Sequence, residues 1–279
     1  MRPYGPQLGC GEQGCTYADK ETSVVKVTPF GSKVTQAQWA NEAHVGQVLG
    51  NMGIAPKIYD YYVCDSKGYI EMERLKDAKR LPDTGVQIRD KLGGDPVDHI
   101  SMMPAHIQQG FVRALVTMID AGYLHMDNHI ENLGYIQDAS GYKPIVFDFG
   151  FTVARDMTPA DKCWALAFSL FQILEHTPSA EIESSVFWPI ATSVMNGTAV
   201  WPPTGASAGM TIAEAGAYVK KYDTIAKLTA AAKKISPKNY DLVAGTLAYA
   251  SFFQNDQPKR YNSRFYNTIY SIRKSQFMK

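Results

Sequence analysis

The stretch "HMDNHIENLGY", residues 125–135, crowds His125, Asp127, Asn128, His129, Glu131 and Asn132 into a segment that lies between apolar runs. A metal site, a polar turn and a catalytic loop all compete for it. His125 and His129 are four residues apart and would share one face of a helix, as zinc-binding pairs do. The segment is nevertheless a poor helix: it follows a Gly-Tyr break at 122–123, its Asp and Asn side chains favour turns over helix interiors, and no H-E-x-x-H spacing accompanies it. Zinc is therefore the weaker reading. Downstream, "KPIVFDFG" (143–150) reads as a short apolar strand that ends on Asp148.

Working outward to the N-terminal side, residues 1–75 alternate like strands punctuated by glycine. "CTYAD", "SVVKVTP", "KIYDYYVCD" and "GYIEMERL" are the strand candidates, and "DSKG" marks a hairpin turn between the last two. Between them "TQAQWANEAHVGQVLGNMG" (35–53) spaces Trp39, Ala43, Val45, Val48 and Leu49 as a helix that stops at glycine. "LGCGEQGCTY" places Gly9, Gly11 and Gly14 in a G-x-G-x-x-G pattern, where absent side chains let backbone N–H groups approach a phosphate. The run that follows alternates like a hairpin instead of opening a helix, which argues against a dinucleotide fold. Lys26 then interrupts the apolar run Val24, Val25, Val27. A lysine there is costly unless its ammonium finds a partner, and Glu42 on the following helix can supply one.

Toward the C-terminus long helical patterns dominate: "AHIQQGFVRALVTMIDAG" (105–122), "PADKCWALAFSLFQILEH" (159–176), "TIAEAGAYVKKYDTIAKLTAAAKKI" (211–235) and "SRFYNTIYSIRK" (263–274). "MNGTAVWPPTGASAGM" (195–210) reads as an exposed loop. The expected class is α+β, with a small β-rich part over 1–75 carrying one helix and a larger, mainly helical part over 76–279.

Lys26, Glu42, His125-x-Asp127 with Asn132, and Asp148-Phe149-Gly150 stand in the order of the protein-kinase signature set, and the sequence resembles the protein-kinase-like superfamily over about residues 8–175. The resemblance implies a bilobal fold in which 1–75 is the N-lobe and 76–279 the C-lobe of one kinase domain. It implies that Asp127 orients an acceptor hydroxyl within a catalytic loop opened by His125, that Asn132 and Asp148 bind Mg²⁺, and that Lys26, fixed by Glu42, holds the phosphates of ATP. Gly9, Gly11 and Gly14 would cover those phosphates. Met72 would stand at the gatekeeper position, with Glu73 and Leu75 offering backbone groups to the adenine. The implied activity is transfer of phosphate from ATP to a hydroxyl, with a protein Ser/Thr acceptor as the leading reading and a small-molecule acceptor as the alternative. A pseudokinase scaffold ordinarily lacks one of Lys26, Asp127 or Asp148, and all three are present here.

The pattern also departs from that family. Met126 stands where an arginine commonly pairs with a phosphorylated activation loop, and His129 stands where Ser/Thr kinases carry a lysine, which is closer to aminoglycoside and choline phosphotransferases. "PADKCWALAFSLFQILE" resembles the helix whose aspartate, here Asp161, ties down the catalytic loop. Only the ten residues "FTVARDMTPA" then separate Gly150 from Asp161, too few for the usual peptide-docking segment. Thr158, just before Pro159, reads as a helix N-cap instead of a regulatory site. Reduced kinases of this phrasing are similar to those of large DNA viruses, which would put the protein in a host cell or virion.

Bulk properties agree with a globular protein. The chain has 279 residues, 45% of them hydrophobic, and its 28 basic and 27 acidic residues leave a net charge of +1, so no polyanion or membrane partner is implied. Interleaved basic and aromatic residues in the C-terminal tail invite a nucleic-acid reading, but Tyr261, Phe265, Ile269 and Ile272 fall at helical spacing, which favours a core helix with a basic outer face. Cys10, Cys15, Cys64 and Cys163 form no CxxC pair, and the expectation is free thiols in a reducing, cytoplasmic setting without a leader. The most apolar window, around 164–174, is far shorter than the roughly 20 residues a membrane helix needs.

Overall fold

The computed structural model describes residues 4–11, 13–77, 103–138, 141–175, 177, 179–203 and 209–254. The helix expected over 263–274, the basic tail and residues 204–208 of the expected loop lie outside the described residues. The fold is α+β, with two compact units: Met1–Ala78 with Asn132–Thr152, and Lys79–Glu131 with Val153–Lys279.

The first unit is built on an antiparallel sheet of strands β1 (Gln7–Cys10), β2 (Cys15–Lys20), β3 (Ser23–Pro29), β4 (Ile58–Cys64) and β5 (Lys67–Glu73), in the order β1-β2-β3-β5-β4. Consecutive strands are joined by short turns wherever sequence chemistry allows it. Between β4 and β5 the loop is Asp65-Ser66, with φ of 48° and 59°, and the register closes as Cys64 opposite Lys67. Two left-handed residues make the turn whose twist matches that of the strands, and Asp tolerates that conformation. Helix α1 (Gln36–Asn51) starts from a capping box in which Thr35 accepts from the Gln38 N–H while Gln38 reaches back to Thr35. It stops at Gly53, whose φ of +73° suits glycine. Trp39 and Ala43 on α1 bury themselves with Val34 and Ile70, and Phe30 and Ile58 pack against this cluster. Gly68 on β5 is required by that packing, because a Cβ there would lie 2.3 Å from the Trp39 ring. A second, three-stranded sheet joins β6 (Lys76–Asp77), β8 (Leu133–Asp138) and β9 (Gly141–Val146) in the order β6-β8-β9.

The cysteines depart from expectation. Cys10 and Cys15 are joined in a disulfide, while exposed Cys64 and half-buried Cys163 remain thiols. The cause lies in the strand register. Cys10 on β1 stands directly opposite Cys15 on β2, with the two Cα atoms 4.0 Å apart, so the glycine-rich turn places two sulfurs side by side although no CxxC spacing announces them.

The second unit is mainly helical: α2 (Ala105–Asp120), α3 (Pro159–Leu174), α4 (Ser179–Ile182), α5 (Phe187–Ser193), α6 (Ile212–Val219), α7 (Ile225–Ile235) and α8 (Tyr240–Ala250). Strand β7 (Tyr123–His125) pairs with β10 (Thr152–Ala154). Helix α3 is its axis. Every residue from Trp164 to Leu174 is buried, and α2, α5 and α8 pack on it. Phe171 meets Trp188 and Phe253 at ring-centroid distances of 5.7 and 5.5 Å, and Phe168 meets Tyr249 edge-on. Burial of such rings is the main favourable term holding a helical layer together. The pattern read as one helix over 211–235 is two, because Thr211 and Thr224 each cap a separate helix. Helices α4, α5 and α8 are not among the expected helices: α4 and α5 are short, and α8 is buried almost all round, which erases amphipathic periodicity. Among the described residues no helix is long and apolar enough to cross a membrane.

Thr158 caps α3 as expected, in a capping box with Asp161. Asp161 itself does not take the expected role. One carboxylate oxygen closes the capping box and the other accepts from the hydroxyl of Ser236, the residue that ends α7, at 2.5 Å, so its hydrogen bonds go to the helix start and to the end of α7. Burial works against its charge, but the hydrogen bonds from Ser236 and Thr158 outweigh burial and hold its carboxyl below the ordinary value of 3.8. A depressed folded-state value adds stability that is fully present above the ordinary value and is lost as pH falls through the folded one. Asp161→Asn is therefore expected to lower the urea midpoint at neutral pH, with the gap to wild type closing as the pH is taken below 3.8. A gap that stays constant down to acid pH would show that Asp161 acts only through shape.

Candidate functional site

Lys26 sits in the middle of β3, opposite Thr16 on β2 and Ile70 on β5, and is 8% exposed. An isolated ammonium there would be untenable. It donates to Glu42 Oε1 on α1 at 2.5 Å and to Asp148 Oδ1 at 2.7 Å. Burial pulls its pKa down, but the charges of Glu42 and then Asp148 outweigh it and hold the ammonium above the usual lysine range. For Glu42, burial is the dominant influence and pushes its carboxyl up, against the pull of Lys26. Its second oxygen, Oε2, is buried without a hydrogen-bond partner among the described residues. The three charges thus form one coupled group in which a single cation serves two carboxylates.

Asp148 follows β9 in the left-handed region, at φ 60° and ψ 67°, and a 3₁₀ turn, Phe149–Phe151, begins immediately after it. For a non-glycine residue that conformation is strained and persists only when its surroundings enforce it. At the same open end of the hairpin, the Phe147 N–H donates to the Asn132 carbonyl at 3.1 Å, and Leu133 stands opposite Val146. Asn132, 5% exposed, and Asp148 are therefore neighbours across the base of one ladder.

Lys26, Glu42 and Asp148 border a cavity of about 400 Å³ in the first unit, and Asn132 is not among its lining residues. Val24, Ile58, Ile70 and Met72 form its apolar walls, and Lys26, Glu42 and Asp148 its charged floor. Gly9, Gly11 and Gly14 line it as well, for different reasons. A Cβ at Gly14 would stand 2.4 Å from the Val27 carbonyl oxygen, so the sheet itself demands glycine there. At Gly9 and Gly11 no atom of the described residues beyond the chain neighbours lies within 4 Å of such a Cβ, and packing among them does not account for the missing side chains. Gln13 reaches from the same loop to Gly150, where its amide fills the space a Cβ would take. Glu73 and Leu75 also line the cavity. The N–H groups of Glu73 and Arg74 are already committed to the carbonyls of Lys57 and Thr22, at 2.9 Å each.

In the second unit, β7 runs into the loop 126–131. His125 is fully buried, and its Nδ1 accepts the Asp127 N–H at 3.1 Å, which requires the tautomer protonated on Nε2. His129 Nε2 lies 3.7 Å from the Asp127 carboxylate, whose side chain is 28% exposed. The segment is a loop with one 3₁₀ turn, Ile130–Asn132, so His125 and His129 do not share a helix face. Among the described residues no cluster of metal-ligating side chains forms a cage. Gln172, on α3, is not among the residues the sequence singles out, yet its side chain holds this loop by its backbone: it accepts from the Asn128 N–H at 3.1 Å and donates to the Met126 carbonyl at 2.9 Å. Its signal in the sequence was a lone amide inside the apolar run "WALAFSLFQIL", where a buried polar group must have partners.

No protein-family model matches the sequence, and a search of curated proteins finds no match. Among solved structures, the chain is similar to the crystal structure of the Mycobacterium tuberculosis PknI kinase domain, a double mutant. The match has 15% identity and a TM-score of 0.45 and covers 68% of this chain and 85% of that one. A likeness at that distance adds nothing to the chemistry read from the residues.

The shared cation makes a specific energetic statement. Lys26→Met leaves Glu42 buried without its counter-charge, which is expected to cost about 3–5 kcal/mol in urea unfolding. The loss should grow as pH rises, because a buried carboxyl with a raised folded-state value contributes less stability once it must ionise. Adding Glu42→Leu to Lys26→Met should recover most of the loss. Additive losses in the double variant would show that the two side chains are not energetically coupled.

Proposed function

We propose that the chain is an ATP-dependent phosphotransferase acting on a hydroxyl acceptor. The observation that carries this reading is the buried Lys26 shared between Glu42 and Asp148 on the floor of a cavity whose walls are apolar and whose rim is glycine. The residues fit a nucleotide with its metal. Gly9 and Gly11 leave open space where no packing demands it, the apolar walls suit a purine, and Glu42 Oε2 marks a buried acceptor not yet satisfied. Bound ATP with Mg²⁺ would supply the transferable phosphoryl group and the cation that neutralises its oxygens.

The chain's own residues then have distinct tasks. Lys26 offers a fixed positive charge to phosphate oxygens, and Glu42 keeps that charge in place. Asp148 and Asn132 present hard oxygen atoms of the kind Mg²⁺ prefers. Because the Glu73 and Arg74 N–H groups are committed inside the sheet, the adenine edge is read by the Leu75 N–H and the Glu73 carbonyl. Met72 closes the back of the purine site. Asp127 accepts or orients the acceptor hydroxyl, with His125 fixing its backbone. Positioning and charge placement account for most of the catalysis in such transfers.

A protein Ser/Thr hydroxyl is the leading acceptor. A small-molecule alcohol is the second reading, and the observation favouring it is His129, which stands 3.7 Å from Asp127 at the position where Ser/Thr kinases carry a lysine and which is closer to the small-molecule phosphotransferase pattern.

The test is nucleotide-dependent thermal stabilisation, with Asp148→Asn as the variant because asparagine tolerates the left-handed backbone. Wild type should melt higher with ATP and Mg²⁺ than with ATP alone, and a ligand at a hundred times its Kd adds about 2.7 kcal/mol of stability. Asp148→Asn should keep the shift from ATP alone and lose the additional shift from Mg²⁺. An unchanged Mg²⁺ increment in the variant would overturn the assignment of Asp148.

A further inference from the structure

We propose that Gln172 is the positioning residue that sets the direction of the Asp127 carboxylate; the proposal rests on the phosphotransferase reading of that aspartate. The argument begins with the chemistry of an amide. A glutamine side chain has one carbonyl acceptor and two N–H donors on a single plane, so it alone among uncharged side chains of its length can satisfy a backbone N–H and a backbone carbonyl together. Gln172 is fully buried in the apolar stretch of α3, where an unpaired amide would be costly. It gives both capacities to the loop: the Asn128 N–H donates to Oε1, and Nε2 donates to the Met126 carbonyl.

Those two backbone groups flank Asp127. The Met126 carbonyl belongs to the peptide unit before its Cα and the Asn128 N–H to the peptide unit after it. The Asp127 N–H, in the first of these units, donates to His125 Nδ1. Both peptide planes around the Asp127 Cα are thereby pinned, and the direction of a side chain follows from its backbone. Asn128 does not share the task. It is fully buried, but neither amide atom of its side chain has a partner among the described residues. The part of the loop just after Asp127 therefore depends on Gln172, from a helix that is itself the axis of the second unit. Groups that must meet a reacting atom within a fraction of an ångström are held in this way, by supports that do not touch the substrate.

The chemistry also supplies a test that packing alone would not pass. Gln172→Met keeps the volume and loses both hydrogen bonds. Gln172→Glu keeps both only while its carboxyl is protonated: the carbonyl oxygen then accepts from the Asn128 N–H and the hydroxyl donates to the Met126 carbonyl. Once ionised it has no donor and faces the Met126 oxygen with a negative charge. Burial raises the pKa of such a carboxyl, so the change falls within a workable pH range. The native titratable groups on the loop, His125, Asp127, His129 and Glu131, are the same residues in variant and wild type, so the readout is the ratio of the variant rate to the wild-type rate at each pH.

The experiment measures initial rates of phosphate transfer from ATP with Mg²⁺ for wild type, Gln172→Met and Gln172→Glu across this range, with the fold monitored by circular dichroism. Gln172→Met should lose kcat by about ten- to a hundredfold at every pH. Its KM for ATP should stay close to that of wild type. The ratio of Gln172→Glu to wild type should be high at acid pH, fall as pH rises, and recover when the same sample is returned to acid. If Gln172→Met does not fold, the reversible profile of Gln172→Glu decides the matter alone. A flat ratio, or full kcat in Gln172→Met, overturns the role of Gln172 while leaving the phosphotransferase reading standing. Absence of transfer by wild type overturns that reading, and this proposal with it.

Discussion

A single buried ammonium organises the first unit. Lys26 can occupy the centre of an apolar strand only because Glu42 arrives from α1 and Asp148 from the end of the β8–β9 hairpin. That requirement ties together three segments far apart in the chain. It fixes which residue of α1 faces the sheet, and hence places Trp39 and Ala43 against Ile70. It also holds Asp148 at the conformation where β9 gives way to the 3₁₀ turn, which is how a strained left-handed aspartate persists. Such a buried charge cluster contributes little to stability, since desolvation consumes most of its Coulombic gain. Under the proposed function, the same fixed ammonium is the charge that the cavity offers to phosphate oxygens.

The second unit solves the complementary problem of holding a polar loop still. Apolar packing around α3 supplies the rigidity, through Phe168, Phe171 and their aromatic neighbours, and one amide within that apolar helix transmits it to the loop backbone. The start of α3 is a separate arrangement in which Thr158, Asp161 and Ser236 satisfy one another. An aspartate in the first turn of this helix and a glutamine in its last turn thus have different tasks, one capping the start of the helix and one supporting the loop.

Much of this was legible in the sequence because it depends on local chemistry. The Asp65-Ser66 turn, the Thr35 and Thr158 caps and the glycine stop at Gly53 are each written in residues that have few other uses. Lys26 among valines announced a need for a partner, and Glu42 stood within reach. What was not legible depends on register or on complete burial. The disulfide follows from Cys10 facing Cys15 across a ladder, which spacing alone does not reveal. Helix α8 is buried on nearly every side and so shows no amphipathic stripe. Lys220–Thr224 breaks a helical pattern that reads as continuous, because Thr224 caps a new helix instead of extending the old one. Gln172 was hidden for the same reason that it matters: it is surrounded by apolar residues, and its partners lie more than forty positions away.

Incubation of the purified chain with terminally labelled ATP and Mg²⁺, in the presence of mixed protein acceptors and a panel of small alcohols, tests the central claim most directly. The account predicts that wild type transfers label to a hydroxyl-bearing acceptor and that Asp127→Asn, folded to the same melting temperature, transfers almost none. Equal transfer by the two proteins, or none by wild type with any acceptor, would contradict it.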